Sequence, residues 1–160
     1  MMQSMIKKRT KGFTLMELMI TLAIAAILMG MGMPSYYRFA KRQTITNETN
    51  NMISDLHFAR LHAINNGVTV KVTSNNGVNW QGGWTITNAA TTTVLLQKQA
   101  IPGGVTMVGN VGVIEFTSIG GLPITGPPVT ITVAHTDVAA QSNVNINVAL
   151  SGSVSSSRTL

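Results

Sequence analysis

Three hydrophobic patterns follow one another along the sequence. The first is an apolar run from Phe13 to Met33 in which Glu17 is the one charged residue. In the second, apolar or small residues recur at intervals of four and three: Ile45, Thr49, Met52, Leu56, Ala59 and Ala63. This spacing predicts one face of an amphipathic helix. Beyond Gly67, apolar and polar residues alternate with a period of two, which predicts β-strands.

The first two patterns predict a single long helix from about Thr14 to Asn65. Asn65-Asn66-Gly67 predicts its C-terminal end, because glycine readily adopts the left-handed conformation that stops a helix. Residues 13–33 would form about 31 Å of helix at ~1.5 Å per residue, which matches the thickness of the hydrocarbon core of a bilayer. Pro34 would remove one backbone hydrogen bond and bend the helix.

Charges at the start of the apolar run predict its orientation and a role in assembly. Four cations precede the run and should stay in the cytoplasm by the positive-inside bias, which sends the remaining chain outward: Lys7, Lys8, Arg9 and Lys11. Glu17 is costly at membrane depth unless it lies near the interface or finds a cationic partner. Cleavage after Gly12 would leave a charged amine on Phe13, close to Glu17 of the same chain or of another copy. The charges therefore predict assembly in the plane of the membrane.

The segment that carries these charges resembles a known signal. Gly12-Phe13-Thr14-Leu15-Met16-Glu17-Leu18 is similar to the class III signal of type IV pilins and type II secretion pseudopilins, with Pro34 where many of those helices have a kink-forming proline. The resemblance implies that a prepilin peptidase removes residues 1–12 and that the Phe13 amine is methylated. It also implies extraction from the inner membrane into a filament of pilin or pseudopilin subunits, in which Glu17 pairs with a neighbour's N-terminus.

Two other interpretations of this segment stay open. A secretory signal peptide also has a basic start and an apolar core, and Gly30-Met31-Gly32 has the form of its cleavage site. Its core is usually about 7 to 15 residues long, however, and Glu17 would serve no purpose in a discarded segment. A plain single-span anchor would leave Glu17 unexplained.

Residues 67–160 are predicted to form a β-rich globular head. Strands are predicted where Val, Ile and Thr alternate with polar residues between turn signals. One strand begins at Trp84, and the other predicted strands are Val68 to Thr73, Thr93 to Lys98, Val105 to Val108, Val113 to Phe116, Val129 to Val133 and Val144 to Leu150. The serine-rich segment from Ser151 to Ser157 is predicted to be mobile. An antiparallel sheet that covers the apolar face of the amphipathic half-helix, residues 34–66, gives an α+β fold.

Composition narrows the range of functions. The 160 residues leave room for one anchor and one domain. The formal charge of +6 includes the four leader cations; the seven Lys and Arg that remain face five acids, so the mature chain carries only +2. That charge does not indicate a nucleic-acid partner. Because the chain contains no cysteine, disulfides and thiolate metal sites are excluded.

The resemblance extends into the head. Asp55, Ala59-Arg60, Ala63-Ile64 and Gly83-Trp84 fit the pattern of the GspH/FimT group of minor pilins and pseudopilins. The group implies a type IV pilin-like fold, in which the long helix packs against the sheet of a periplasmic head. It also implies a structural role, either in a type II secretion pseudopilus or in a type IV pilus.

The C-terminal segment bears on DNA binding. Some FimT members bind DNA during natural transformation through a Gly-Arg-x-Arg pattern, and the corresponding positions here are Gly152-Ser153-Val154-Ser155. Serine in place of arginine brings no counterion release, which supplies most nonspecific affinity for DNA. Lys71, Lys98 and Arg158 remain as candidate DNA contacts, although three scattered cations more often form a solvated surface. A DNA-binding minor pilin is therefore the alternative to a structural subunit.

The histidines do not predict an enzyme. His57 and His62 are five residues apart, so on a helix they would point about 140° from one another and could not chelate one metal. His135 and Asp137 would share a face of a strand, but no nucleophile elbow or oxyanion hole accompanies them. We therefore predict no catalytic residues, no metal and no cofactor.

Overall fold

The computed structural model describes residues 12–101, 103–123, 126–138 and 142–158, without the side chains of residues 31–34. Within these ranges one helix, α1, covers Leu15–Asn66, close to the predicted bounds. A short 3₁₀-helix and eight strands follow: β1 Val70–Ser74, the 3₁₀-helix Trp80–Gly82, β2 Trp84–Asn88, β3 Val94–Lys98, β4 Val105–Gly109, β5 Val113–Phe116, β6 Val129–His135, β7 Val144–Val148 and β8 Val154–Arg158. The predicted α+β class is confirmed.

The chain divides into two units, Met1–Tyr37 and Arg38–Leu160. In the first unit, the described residues are mainly the N-terminal part of α1, whose long apolar side chains are exposed. No single helix in the described ranges is long and apolar enough to cross a membrane, whereas Leu15–Gly30 and Ser35–Asn66 taken together pass that test by length and composition.

In the second unit, α1 presents the predicted apolar stripe to the core. All six stripe residues are buried, and none is more than 3% exposed. A Schellman motif ends the helix: Gly67 has φ +63°, its N–H donates to the Ile64 carbonyl, and the Val68 N–H donates to the Ala63 carbonyl. These bonds satisfy carbonyls that a helix end otherwise leaves free.

The strands form two four-stranded antiparallel sheets, in the orders β3-β2-β1-β5 and β4-β6-β7-β8, where the sequence predicted one sheet. In the first sheet, Val72 pairs with Ile86 on one side and Ile114 on the other; in the second, Ile131 pairs with Ile146. All five side chains are buried in one core with the helix stripe. Alternation specifies which face of a strand is buried but not which strands pair, so the division into two sheets could not be predicted.

The prediction that the serine-rich segment is mobile is wrong. Val154–Arg158 pairs along its whole length with β7. Gly152, at φ +77°, donates its N–H to the Ala149 carbonyl, and the Ala149 N–H donates to the Ser153 carbonyl, so a tight hairpin turn aligns the two strands. Strand pairing uses main-chain groups, and serines can therefore complete a sheet edge that the turn has positioned.

Candidate assembly site

The predicted processing residues lie at the start of α1. Gly12 and Phe13 precede the helix and are exposed, Phe13 by 79%, so a peptidase can reach the bond between them. Thr14 caps the helix, because its Oγ1 accepts the Glu17 N–H at 3.2 Å. Thr14-x-x-Glu17 is the sequence signature of a capping box, and this spacing could have revealed the cap before the structure did.

Glu17 lies in the first turn of α1, where the helix dipole favours a negative charge. Within the described ranges its carboxylate makes no hydrogen bond or ion pair. The side chain is exposed, so the carboxylate is free to take a cationic partner. The cations of the proposed leader and the side chain of Pro34 lie outside the described residues.

In the described residues of the first unit, the apolar side chains of α1 are exposed. The large side chains from Leu15 to Met29 are between 51% and 81% exposed. A groove of about 440 Å³ on this surface is lined by Met16, Met19, Ile20 and Ala23, which recur at helical spacing. An exposed apolar surface of this extent marks a site of contact with a membrane or with another protein.

In the head, an aspartate on α1 is joined to a tryptophan on the first sheet. Trp84 is fully buried, and its Nε1–H donates to Asp55 Oδ2 at 3.0 Å. Burial raises the pKa of the Asp55 carboxyl, against the opposing effects of this hydrogen bond and of the Lys98 charge. The bond satisfies the indole N–H in the core and fixes the helix against β2.

An arginine on α1 joins the helix to two loops of the head. Arg60 Nε–H donates to the Gly120 carbonyl at 2.8 Å, and Nη2 donates to the Ser151 carbonyl at 3.2 Å. Gly120 and Gly152 are buried beside it, and a Cβ on Gly152 would collide with the Gly120 carbonyl oxygen. The close approach of the two loops therefore depends on the absence of a side chain at Gly152.

Steric constraints also explain why the residue before Trp84, Gly83, is a glycine. Its φ is +88°, and a Cβ there would collide with the Lys98 carbonyl oxygen. The Gly-Trp pair of the family pattern thus places a residue without a side chain against β3 and a large side chain in the core. Both residues serve packing.

The structure does not bring the three candidate DNA contacts onto one surface. Lys71 alternates with buried valines on β1, points outward, and pairs with Glu115 at 2.8 Å. Lys98 is the partner of buried Trp84 across β2 and β3, so it lies on the opposite, core-facing side of the same sheet. Arg158 belongs to the second sheet.

The histidines lie apart from one another. His57 is exposed and His62 half-buried on α1. β6 ends at His135, so His135 and Asp137 do not share a strand face as predicted: the His135 Nδ1 accepts the Asp137 N–H at 3.1 Å within a turn. The Asp137 carboxylate lies 3.6 Å from Lys41 Nζ and 3.9 Å from His135 Nδ1. Among the described residues, no three His, Cys, Asp or Glu side chains form a group that could hold a metal.

The family model described as type II transport protein GspH matches residues 48–152, and a prokaryotic N-terminal methylation motif matches residues 7–33. This chain belongs to the GspH family. The GspH-family chain is therefore a minor pilin or pseudopilin, a subunit type that is structural, carries a prepilin methylation signal and assembles with other pilin-like subunits. No curated protein sequence matches it.

Two solved structures share the fold. Both are of the type IV minor pilin FimU of Pseudomonas aeruginosa PAO1. The crystal form in space group P21 is 15% identical, with a TM-score of 0.62 over 73% of this chain and 90% of that chain. The form in space group P65 is 18% identical, with a TM-score of 0.59 over 72% and 91%. The methylation motif and the N-terminal helix indicate a membrane-anchored subunit.

Proposed function

We propose that this chain is a minor subunit that enters a type II secretion pseudopilus or a type IV pilus after a prepilin peptidase cuts between Gly12 and Phe13. Residues 13–33 hold it in the inner membrane in a single pass, with the N-terminus in the cytoplasm. Residues 34–66 connect this anchor to the head, residues 67–160, in the periplasm. Its role in secretion or pilus biogenesis is structural.

One observation supports this proposal above the others. The N-terminal part of α1 exposes a continuous apolar surface, and Glu17 at its start has a carboxylate without a partner in the described ranges. A carboxylate at membrane depth is costly unless it lies near the interface or beside a cation, and the new Phe13 amine of a neighbouring subunit would supply a cation. Pro34 would let the helix bend as subunits pack.

Glu17→Ala tests the pairing, with Glu48→Ala as a matched control on the same helix. Loss of Glu17 would leave a neighbour's amine unpaired at membrane depth, a cost of about 2.5–3.5 kcal/mol on insertion scales. We expect Glu17→Ala to reduce filament incorporation more than about tenfold, at an unchanged level in the membrane. If Glu17→Ala entered filaments as well as Glu48→Ala does, the proposal that Glu17 pairs with a neighbour's amine would be wrong. Mass spectrometry of the wild-type chain should show N-methylated Phe13 at the N-terminus.

The alternative, a DNA-binding minor pilin, requires a salt-sensitive affinity carried by Lys71, Lys98 or Arg158. Their positions on three different surfaces favour the structural role. A deletion strain distinguishes the two filaments, since a pseudopilus subunit is needed for secretion of folded proteins and a pilus subunit for surface pili.

A further inference from the structure

A polar groove of about 160 Å³ lies between α1 and β8, the edge strand of the second sheet. Its polar lining comes from one face of the helix and from the end of the strand: Thr46, Thr49, Asn50, Ser156, Ser157 and Arg158. Ser156 and Arg158 pair across the sheet with Ile146 and Val144, which are both buried. The register therefore places Arg158 on the inner face of the strand, turned toward the helix.

The groove offers hydrogen-bond donors and no negative charge. None of the residues that line it is acidic, and the Arg158 side chain has no ion pair or hydrogen bond within the described part of the chain. The side chains of Asn50 and Ser156 are likewise without a partner among the described residues. The hydroxyls of Thr46 and Thr49 donate to helix carbonyls and can only accept further bonds. Three free donors at one end favour a small planar anion.

We propose that this groove binds the carboxylate of an acidic side chain from a neighbouring filament subunit. The Arg158 guanidinium can form two parallel hydrogen bonds to a carboxylate, while Asn50 and Ser156 donate to its remaining lone pairs. The inference rests on the proposed function, because a filament supplies the neighbour.

The same features argue against a nucleic acid as the ligand. Affinity for DNA comes from several cations that each release counterions, whereas this groove contains one arginine, turned inward. An inward charge also discourages pairing between sheet edges. Protection of the sheet edge requires no bound ligand. A ligand-binding measurement therefore distinguishes a carboxylate site from an arginine that only protects the edge.

The test is an NMR titration of the full chain in non-ionic detergent with N-acetylglutamate methylamide. We expect saturable shifts of the Arg158 Nε–H, the Asn50 side-chain amide and the Ser156 amide. The uncharged glutamine analogue should leave them unchanged. Arg158 is exposed, so Arg158→Gln should weaken binding by up to about fivefold, the upper factor expected for one exposed ion pair. Lys71→Gln should have no effect because Lys71 already pairs with Glu115.

Equal shifts with the glutamine analogue, or none with either, would overturn the inference. If a short DNA duplex shifts these resonances and the glutamate analogue does not, the groove is a nucleic-acid site and not a carboxylate site. In cells, Arg158→Gln should reduce filament incorporation relative to Lys71→Gln; equal incorporation would exclude a neighbouring subunit as the ligand. The titration uses unassembled protein, so its failure is separate from a failure of Glu17-dependent assembly.

Discussion

Arg60→Ala is expected to loosen the end of the head where α1 meets two loops. The substitution removes the donors to the Gly120 and Ser151 carbonyls. The Gly120 carbonyl belongs to a buried residue, and an acceptor that loses its partner without gaining water carries the full cost of desolvation. The Ser151 carbonyl lies in an exposed residue and can bond to water instead.

The expected loss of stability depends on how far each of these two carbonyls is buried. Hydrogen bonds from a charged donor contribute about 1.5–3 kcal/mol each, and the exposed one belongs at or below the low end of that range. We expect Arg60→Ala to lower the free energy of unfolding by about 2–4 kcal/mol. For a unit of this size, that corresponds to a fall in Tm of roughly 10 °C. Lysine offers a single compact donor group, so Arg60→Lys should lose about half as much.

The assay is thermal unfolding of residues 38–160, followed by circular dichroism. Arg42→Ala is the control, because Arg42 is an exposed arginine on the same helix whose side chain has no partner in the described ranges. Such a surface change should alter stability by no more than about 0.5 kcal/mol. If the Tm of Arg60→Ala fell no further than that of Arg42→Ala, the two hydrogen bonds would not stabilise the head and the reasoning would be refuted.

Two further predictions concern the first sheet and its contact with α1. Because burial raises the pKa of Asp55, the folded state holds its proton to higher pH than the unfolded state, and stability should fall as pH rises through the interval just above the ordinary value of 3.8. Asp55→Asn should remove this pH dependence, which urea unfolding from pH 3 to 7 would measure. If the free energy of unfolding changed with pH in the variant as it does in the wild type, the prediction would be wrong. Gly83→Ala should destabilise the head by more than about 1 kcal/mol, because it combines a strained φ with a collision; a Tm equal to that of Gly77→Ala, where φ is +61° and a Cβ meets nothing within 4 Å, would show that the collision is relieved without cost.

The helix was predictable because its signals are local. The stripe from Ile45 to Ala63 has the period of a helix, and the Asn-Gly pair at its end supplies the Schellman motif. Most strands were found for the same reason, since alternating burial is visible in β1, β6 and β7. Their grouping into two sheets depends on contacts between distant segments, which periodicity does not encode.

The groove beside β8 could not be predicted, and the cause is specific. A serine-rich segment suggests mobility, because serine has low strand propensity and little surface to bury. Here Gly152 and the Ala149 turn fix the segment against β7, and only the resulting register turns Arg158 inward. By contrast, the helix cap at Thr14 could be predicted from the sequence, because Thr14-x-x-Glu17 has the spacing of a capping box.

The residues that fit the GspH pattern share a physical task in the head. Ala59 and Ala63 let the sheet approach the helix closely, Asp55 bonds Trp84, Arg60 holds two loops, and Gly83 admits β3. Such a pattern specifies how helix and sheet pack and says little about what the head contacts. Differences in function among family members should therefore lie on surfaces outside this interface. The groove between α1 and β8, which none of these pattern residues lines, is such a surface.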